Sequence, residues 1–413
     1  MASTFDSPRS RRATIFAAVS VLLATACSSA PPLSGARGTT ATVAAPTAAS
    51  AAPRALPAPA LPSESQTPAV AVAAAPAPPV IRPVQPAPSG PATRSDLIAL
   101  ILPLESPTYG RVADAVKAGF LAAAARAGSG SRVRVIGHGD DGVLNAIADA
   151  ENAGVGLIVG PLTRDDLKTV LAMAPARPRT LALNQLDDGA ALPRDAYTMA
   201  LSVDSDASLL ARTARADGAR SVALVVADAP LPQRFVAAFE AEWRRGGGSP
   251  PRANRFDPNP DMLALLRREI ASRPTDAIVL AVDGEHAALA KSFLSPVRVY
   301  AISQIADELP SPISHDLDGV RYIEIPWLAD PDEPALARMP HANLGNPVLE
   351  RLYALGLDAF AVAQMLAEPI PPEQVELDGA TGHLSLTPAR AFARQGRLME
   401  IRDGRAQPYT AGQ

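Results

Sequence analysis

The chain has 413 residues, 47% of them hydrophobic but only 4% aromatic, with 42 prolines and a single cysteine. That length holds two or three domains at ~150 residues each, yet residues 28–95 contain 15 of the prolines, no Phe, Tyr or Trp, and five charged side chains. Residues 96–413 carry 31 basic and 40 acidic groups, a net of −9, and hold all three lysines of the chain: Lys117, Lys168 and Lys291. This balance argues against nucleic acid or another polyanion as partner, since phosphate neutralisation needs a concentrated basic face. One cysteine excludes a disulfide framework, and without a CxxC pair there is no zinc or redox motif.

In chain order, the N-terminus presents Arg9, Arg11 and Arg12, an apolar run from Ala13 to Ala26, and then Cys27. A basic segment, a short apolar segment and small residues before a cleavage point are the grammar of a signal peptide. The run is too short for a membrane-spanning helix, which needs ~20 apolar residues. Two readings of Cys27 remain open: an incidental residue after a secretory signal, or the acceptor of a lipoprotein signal. Leu22-Leu-Ala-Thr-Ala-Cys27 resembles a lipobox, with Ala24 where leucine is usual and Leu23 one position early. The resemblance implies a lipoprotein signal peptide over residues 1–27, lipid attachment at Cys27 and stable anchoring by two or more acyl chains. Ser28, in place of an acidic residue, points to the outer membrane by analogy. Residues 28–95 read as a disordered Ala/Pro-rich linker, because they lack the bulky side chains that offset ordering. Its 68 residues would reach ~200 Å as polyproline and ~45 Å as a flexible coil.

From Asp96 the pattern changes to an α/β alternation. Leu97–Leu102 is a buried-strand run closed by Pro103, and Val112, Ala115, Val116, Phe120 and Leu121 are spaced for a helix over 111–127. Strands are predicted over 132–136, 155–159 and 180–183, with helices over 143–150 and 164–173. Further strands at 221–226, 277–282 and 297–301 alternate with helices at 233–245, 261–272 and 285–293. Continuous apolar strands between such helices predict parallel sheets covered on both faces. Residues 96–413 exceed one comfortable core, so two lobes are expected, with the lobe boundary near 200 and the chain crossing back near 297.

No assembled catalytic group is visible. Gly137-His-Gly-Asp-Asp-Gly142 follows a strand but is not GxGxxG, and reads as a turn. Asp140/Asp141, Asp165/Asp166 and Asp187/Asp188 are adjacent pairs whose side chains diverge, and Thr163 before Asp165 and Asp166 reads as a helix cap with first-turn acids. The five histidines show no metal spacing, and no G-x-S-x-G elbow occurs. No enzyme activity, cofactor or metal is therefore expected. The loops after the first, third and fourth strands do stand out, because open α/β sheets bind ligands at the carboxyl ends of their strands. Those loops make Ser106, Tyr109, Gly160, Pro161, Thr163 and Asn184 candidate cleft-lining residues.

That succession of loops resembles the type I periplasmic binding-protein fold, a two-lobed α/β architecture with parallel sheets flanked by helices. Specific strings narrow the resemblance: Ile98-Ala-Leu-Ile-Leu-Pro-Leu104, Gly160-Pro-Leu162, Phe239-Glu-Ala-Glu-Trp243, Glu324-Ile-Pro-Trp327, Arg351-Leu-Tyr-Ala-Leu-Gly-Leu-Asp-Ala-Phe360 and Asp378-Gly-Ala-Thr-Gly-His-Leu-Ser-Leu386. Together they resemble the LppC/LpoA family, outer-membrane lipoprotein activators of penicillin-binding proteins. The resemblance implies a non-enzymatic head that binds a class A penicillin-binding protein and stimulates its transpeptidase activity, regulating peptidoglycan synthesis. Enteric members carry a helical-repeat domain ahead of this head, whereas here the Ala/Pro linker precedes Asp96. The strings also have plain structural roles: Tyr353, Leu357 and Phe360 fill core, Pro326-Trp327 anchors a lobe crossing, and Asp358 bonds to backbone. The alternative is a periplasmic receptor that closes its inter-lobe cleft on a small metabolite. Among the loop residues only Glu105 is charged, which disfavours a zwitterionic amino-acid ligand.

Overall fold

The structure, a computed structural model, describes residues 95–172, 178–186, 191–307, 311–368 and 375–410. The leader expected over 1–27, Cys27 itself and the linker expected over 28–95 (Ser95 apart) lie outside the described residues. The first lobe alternates β1 (Ile98–Leu102), α1 (Gly110–Arg126), β2 (Val133–Gly137), α2 (Val143–Asn152), β3 (Leu157–Val159), α3 (Arg164–Ala172), β4 (Arg179–Ala182) and β5 (Ala196–Thr198). These strands pair in parallel in the order β2-β1-β3-β4-β5. All five β1 residues are buried, as a strand flanked by strands and covered on both faces requires.

The second lobe contains α4 (Val203–Ala216), β6 (Val222–Val226), α5 (Pro230–Arg245), β7 (Arg252–Arg255), α6 (Pro260–Ala271), β8 (Ala277–Ala281), α7 (Gly284–Phe293), β9 (Arg298–Ala301), α8 (Ser311–Ser314) and β10 (Val320–Glu324). The chain then returns to the first lobe through α9 (Pro326–Ala329), α10 (Pro347–Ala367) and a small antiparallel sheet of β11 (Glu376–Gly379), β12 (Gly382–Leu386) and β13 (Phe392–Gln395). It ends with β14 (Arg397–Arg402) and β15 (Arg405–Pro408), which join the second sheet beside β10 in the order β15-β14-β10-β9-β8-β6-β7. The chain therefore passes between the sheets three times: between Thr198 and Val203, after Glu324, and between Gln395 and Arg397. The return expected near 297 does not occur there, because β9 and β10 both continue the second sheet.

Four of the elements that go beyond the sequence expectation do so for a plain physical reason. The buried stripe of α4 is Ala207, Leu210, Ala211 and Ala214, so small side chains carry little hydrophobic signal. Strand β7 reads Arg-Ala-Asn-Arg on the sheet edge and is only partly buried. Strand β5 has three residues. Strand β10 follows three short helical turns rather than a full crossover helix.

Helix α10 joins the lobes. Its residues Tyr353 to Phe360 are all buried, the mark of a helix enclosed on every side. Two glycines let it lie directly on α1. A Cβ at Gly356 would fall 2.2 Å from the Val116 carbonyl oxygen, and one at Gly119 would fall 2.0 Å from that of Tyr353. Phe120 and Phe360 close the contact edge to face, with centroids 5.3 Å apart. Gly356→Ala is expected to destabilise the protein by about 1–3 kcal/mol in urea unfolding, because the clash is with backbone and outweighs the better helix propensity of alanine. Gly130→Ala, which meets nothing within 4 Å, is the control. Equal stability of the two variants would show that the helices do not approach this closely.

Candidate functional site

The loops after β1, β3 and β4 all leave the carboxyl edge of the first sheet. Gly160 adopts φ +115, a left-handed conformation open to glycine, and a Cβ there would lie 2.1 Å from the Ile101 carbonyl oxygen. The Leu183 amide donates to the Pro161 carbonyl at 2.9 Å, and Asn184 Nδ2 donates to that of Leu162 at 2.9 Å. Segment 160–163 and Asn184 are thus brought together. Ser106 and Tyr109 belong instead to the start of α1.

The side-chain polar atoms of Ser106, Thr163 and Asn184 are engaged within the chain. Ser106, buried, accepts from the Thr108 and Tyr109 amides at 3.2 and 3.1 Å. Thr163 Oγ1 accepts from the Asp166 amide at 3.1 Å and donates to the Asp166 carboxylate at 2.5 Å, so it caps α3, as the sequence suggested. Burial pushes the Asp166 carboxyl up, and the Thr163 hydrogen bond pulls it back. Asn184 Oδ1 accepts from Arg164 Nε and from the Gln185 amide. From there a polar chain runs into the second lobe. Gln185 Nε2 donates to Ser202 Oγ at 2.8 Å, Ser202 Oγ donates to Asp204 at 2.8 Å, and Arg234 Nε donates to both Asp204 oxygens at 2.9 and 3.0 Å. A cavity of about 70 Å³, lined by Ser95, Gly156, Arg179 and Leu366 among others, lies at the opposite edge of the first sheet.

The strings Glu324–Trp327, Arg351–Phe360 and Asp378–Leu386 converge on the lobe crossings. Arg351 on α10 donates to Glu324 at the end of β10 (3.0 and 2.6 Å) and to Asp307 beyond β9 (3.2 and 2.8 Å). Burial opposes the Arg351 charge, but Glu324 and Asp307 more than offset it and hold the guanidinium charged. Removing one member of such a cluster strands a buried charge, at about 3–5 kcal/mol. Trp327 stacks on His341 at 4.3 Å, and its indole N–H donates to Glu350 at 3.0 Å. Arg394 on β13 reaches Asp206 on α4 and the Thr381 carbonyl. Burial raises the Asp206 carboxyl against the pull of Arg394. Asp358 accepts the Ala380 amide at 2.8 Å, the Thr381 amide at 2.7 Å and the Thr381 hydroxyl at 2.6 Å. Asp307, Asp206, Arg394 and the Gln185–Arg234 chain escape sequence reasoning, since each pairs with a residue far away in the chain. For Arg351 and Glu324 the signal was present, as each sits in a string singled out above.

Residues 90–404 match the family model described as "LppC putative lipoprotein". The chain belongs to the LppC family. The penicillin-binding protein activator LpoA of Haemophilus influenzae is 26% identical to it over 327 residues, covering 76% of this chain and 56% of LpoA. This LppC chain thus spans about half the length of the curated relatives it matches. The solved C-domain of Haemophilus influenzae LpoA, a regulator of PBP1A, has a TM-score of 0.66 at 24% identity, covering 76% of this chain and 100% of that domain. At that identity the likeness is one of fold. The structure of a "putative branched-chain amino acid ABC transporter" from Chromobacterium violaceum is 37% identical, with a TM-score of 0.65, covering 74% of this chain and 99% of its own. The LppC head therefore has the type I periplasmic binding-protein-like fold. Among the described residues no group of three or more His, Cys, Asp or Glu is arranged to hold a metal ion.

Burial pushes the Asp358 carboxyl up to about 6 against its three donors. The folded protein then binds this proton more tightly than the unfolded chain, so the stability the group contributes falls as pH rises from about 4 to 6. Asp358→Asn turns one acceptor into a donor facing N–H groups and is expected to destabilise by about 1–3 kcal/mol at pH 7. The gap from wild type, followed by urea unfolding, should widen on going from pH 7 to pH 4. A gap that narrows would show that the three donors keep the carboxylate ionised.

Proposed function

We propose that this protein is a non-enzymatic, lipid-anchored envelope protein whose two-lobed head binds a class A penicillin-binding protein and stimulates peptidoglycan synthesis. The reading is carried by the convergence of the family strings beside the lobe crossings, where the Arg351 ion pairs tie α10 to the second sheet and Asp358 holds the β11–β12 turn on α10. A head fixed in this way offers a surface of constant shape. Its loop polar groups Ser106, Thr163 and Asn184 are engaged in capping and loop bonds rather than turned to a ligand. The relatives named as penicillin-binding protein activators supply the identity of the partner. Stimulation would arise from tighter binding to the active conformer of the synthase, since a binder shifts an equilibrium only by its differential affinity. Cys27 carries the lipid in this reading, residues 28–95 form the tether, and the anchor lies in the outer membrane.

A second reading, a receptor for a small metabolite, is favoured by the 37% identical Chromobacterium violaceum structure. Its test is calorimetry with leucine, isoleucine and valine. Micromolar binding that Asn184→Ala weakens would establish that reading.

The deciding experiment for the first reading is peptide cross-linking by each purified class A synthase of the same cell, with and without the full-length protein. A saturable rise with one synthase is expected, and no rise with any of them would overturn direct activation. Separately, Cys27→Ser should release the protein from the membrane fraction. Retention of the variant there would refute lipidation at this residue.

A further inference from the structure

The net charge of −9 over residues 96–413 argues against any concentrated basic face, but the fold gathers one. Strands β6 to β10 run parallel, so the segments that lead into them collect at one edge of the second sheet. That edge is remote from the lobe crossings, since the Arg351 cluster grips the opposite, carboxyl ends of β9 and β10. It is also remote from Ser95, where the described chain enters the amino edge of the first sheet; a Cβ on Gly156 there would fall 2.0 Å from the Ser95 carbonyl oxygen.

Four of these segments, 212–221, 244–252, 267–276 and 291–298, contain eleven basic side chains and three acidic ones. With segment 315–319 and the hairpin turn 402–405, the edge carries thirteen Arg or Lys against six Asp or Glu; of the thirteen, Arg212 and Arg245 pair with Glu242, Arg244 with Glu240 and Arg402 with Glu400 on the adjoining elements. The helix macrodipole accounts for the basic residues in the last turns of α4 to α7, such as Arg215 and Arg245. It does not account for Arg220, Arg252, Arg273 and Arg298, which lie beyond the helix ends. Two of the acids are engaged by hydrogen bonds of their own, Asp276 at the exposed surface and Asp217 half-buried. Asp276 Oδ2 accepts from the Arg220 and Ser221 amides, both at 2.9 Å, and from the Ser221 hydroxyl at 3.0 Å. Asp217 accepts from the Tyr300 hydroxyl at 2.6 Å and from Arg321 at 2.7 Å. Arg215, Arg220 and Arg273 are exposed, and the Arg215 guanidinium lies across the Gly246 backbone, where a Cβ would be 1.3 Å from Nη1.

We propose that this arginine-rich amino edge of the second sheet is the surface that docks an acidic face of a protein partner. The proposal rests on the synthase-activator reading, which makes that partner the penicillin-binding protein. Guanidinium groups suit carboxylates because they bind them bidentately, and a patch of one sign steers encounter with its opposite. A protein fits better than a lipid surface, because membrane-surface elements insert large apolar side chains. The exposed large hydrophobics among the described residues are Leu97, Met262, Leu265 and Val348, and none lies in the basic segments.

The test uses the full-length protein and the class A synthase that it stimulates. The triple variant Arg215→Glu, Arg220→Glu, Arg273→Glu is compared with Arg111→Glu, Arg132→Glu, Arg134→Glu, three exposed arginines of the first lobe that give the same change of charge. The first variant should weaken synthase binding at least about tenfold, mainly through the association rate, while the second stays within about twofold of wild type. Circular dichroism and melting verify that both fold; if the first does not, Arg273→Glu alone and the salt dependence of wild-type binding decide, with weakening expected in both. Failure of wild type to bind any synthase would overturn the activator reading and this docking surface with it. Wild-type stimulation that the first variant retains in full would overturn the docking surface alone. Co-sedimentation of wild type with phosphatidylglycerol vesicles, lost in the first variant while synthase binding is unchanged, would also overturn it and assign the edge to lipid.

Discussion

One guanidinium, that of Arg351, determines how the two sheets stand to one another. It sits on the helix that completes the first lobe and grips two carboxylates at the carboxyl ends of second-lobe strands. A charge removed from water must find opposite charge with good geometry, or the fold loses several kcal/mol. Here both carboxylates are engaged and the Ile325 amide also donates to Glu324 at 2.9 Å. The requirement propagates outward. Arg351 reaches its partners because α10 lies close on α1, and that closeness depends on glycine at positions 119 and 356.

Arg394 with Asp206 repeats the device between β13 and α4, and Asp358 holds Ala380 and Thr381 in place within the first lobe. The chain passes between the sheets three times, and buried polar groups lie beside these connections. The same architecture serves ligand capture when its hinges are loose and its loops present free donors. In this chain the Ser106 hydroxyl accepts from the Thr108 and Tyr109 amides ahead of α1, that of Thr163 caps α3, and the Asn184 amide ties one loop to another.

The sheet cores were legible in the sequence because a strand buried on both faces shows as an unbroken apolar run, as in Ile98–Leu102 and Ala277–Ala281. Strand β7 and helix α4 were not, since arginine on an edge and alanine on a buried stripe both look like surface. The return of the chain was placed too early because the strand at 298–301 reads alike in either sheet, and only pairing assigns it. At the site, the Thr163 cap and the backbone role of Asp358 followed from local chemistry. Pairs such as Arg394 with Asp206, separated by 188 positions, leave no local trace, and the arginine-rich edge is assembled from segments that are each unremarkable alone.

The interleaving of the lobes has a consequence for the order in which the molecule comes into being. The second lobe is an insertion between two parts of the first, and the strands β14 and β15 that finish it come last of all. The face of α1 around Gly119 therefore waits for Gly356, more than two hundred residues downstream. A chain emerging from its N-terminus must hold that apolar face uncovered through the synthesis of nearly the whole second lobe. Neither lobe closes until the last fifty residues have arrived, so the two sheets are completed almost together.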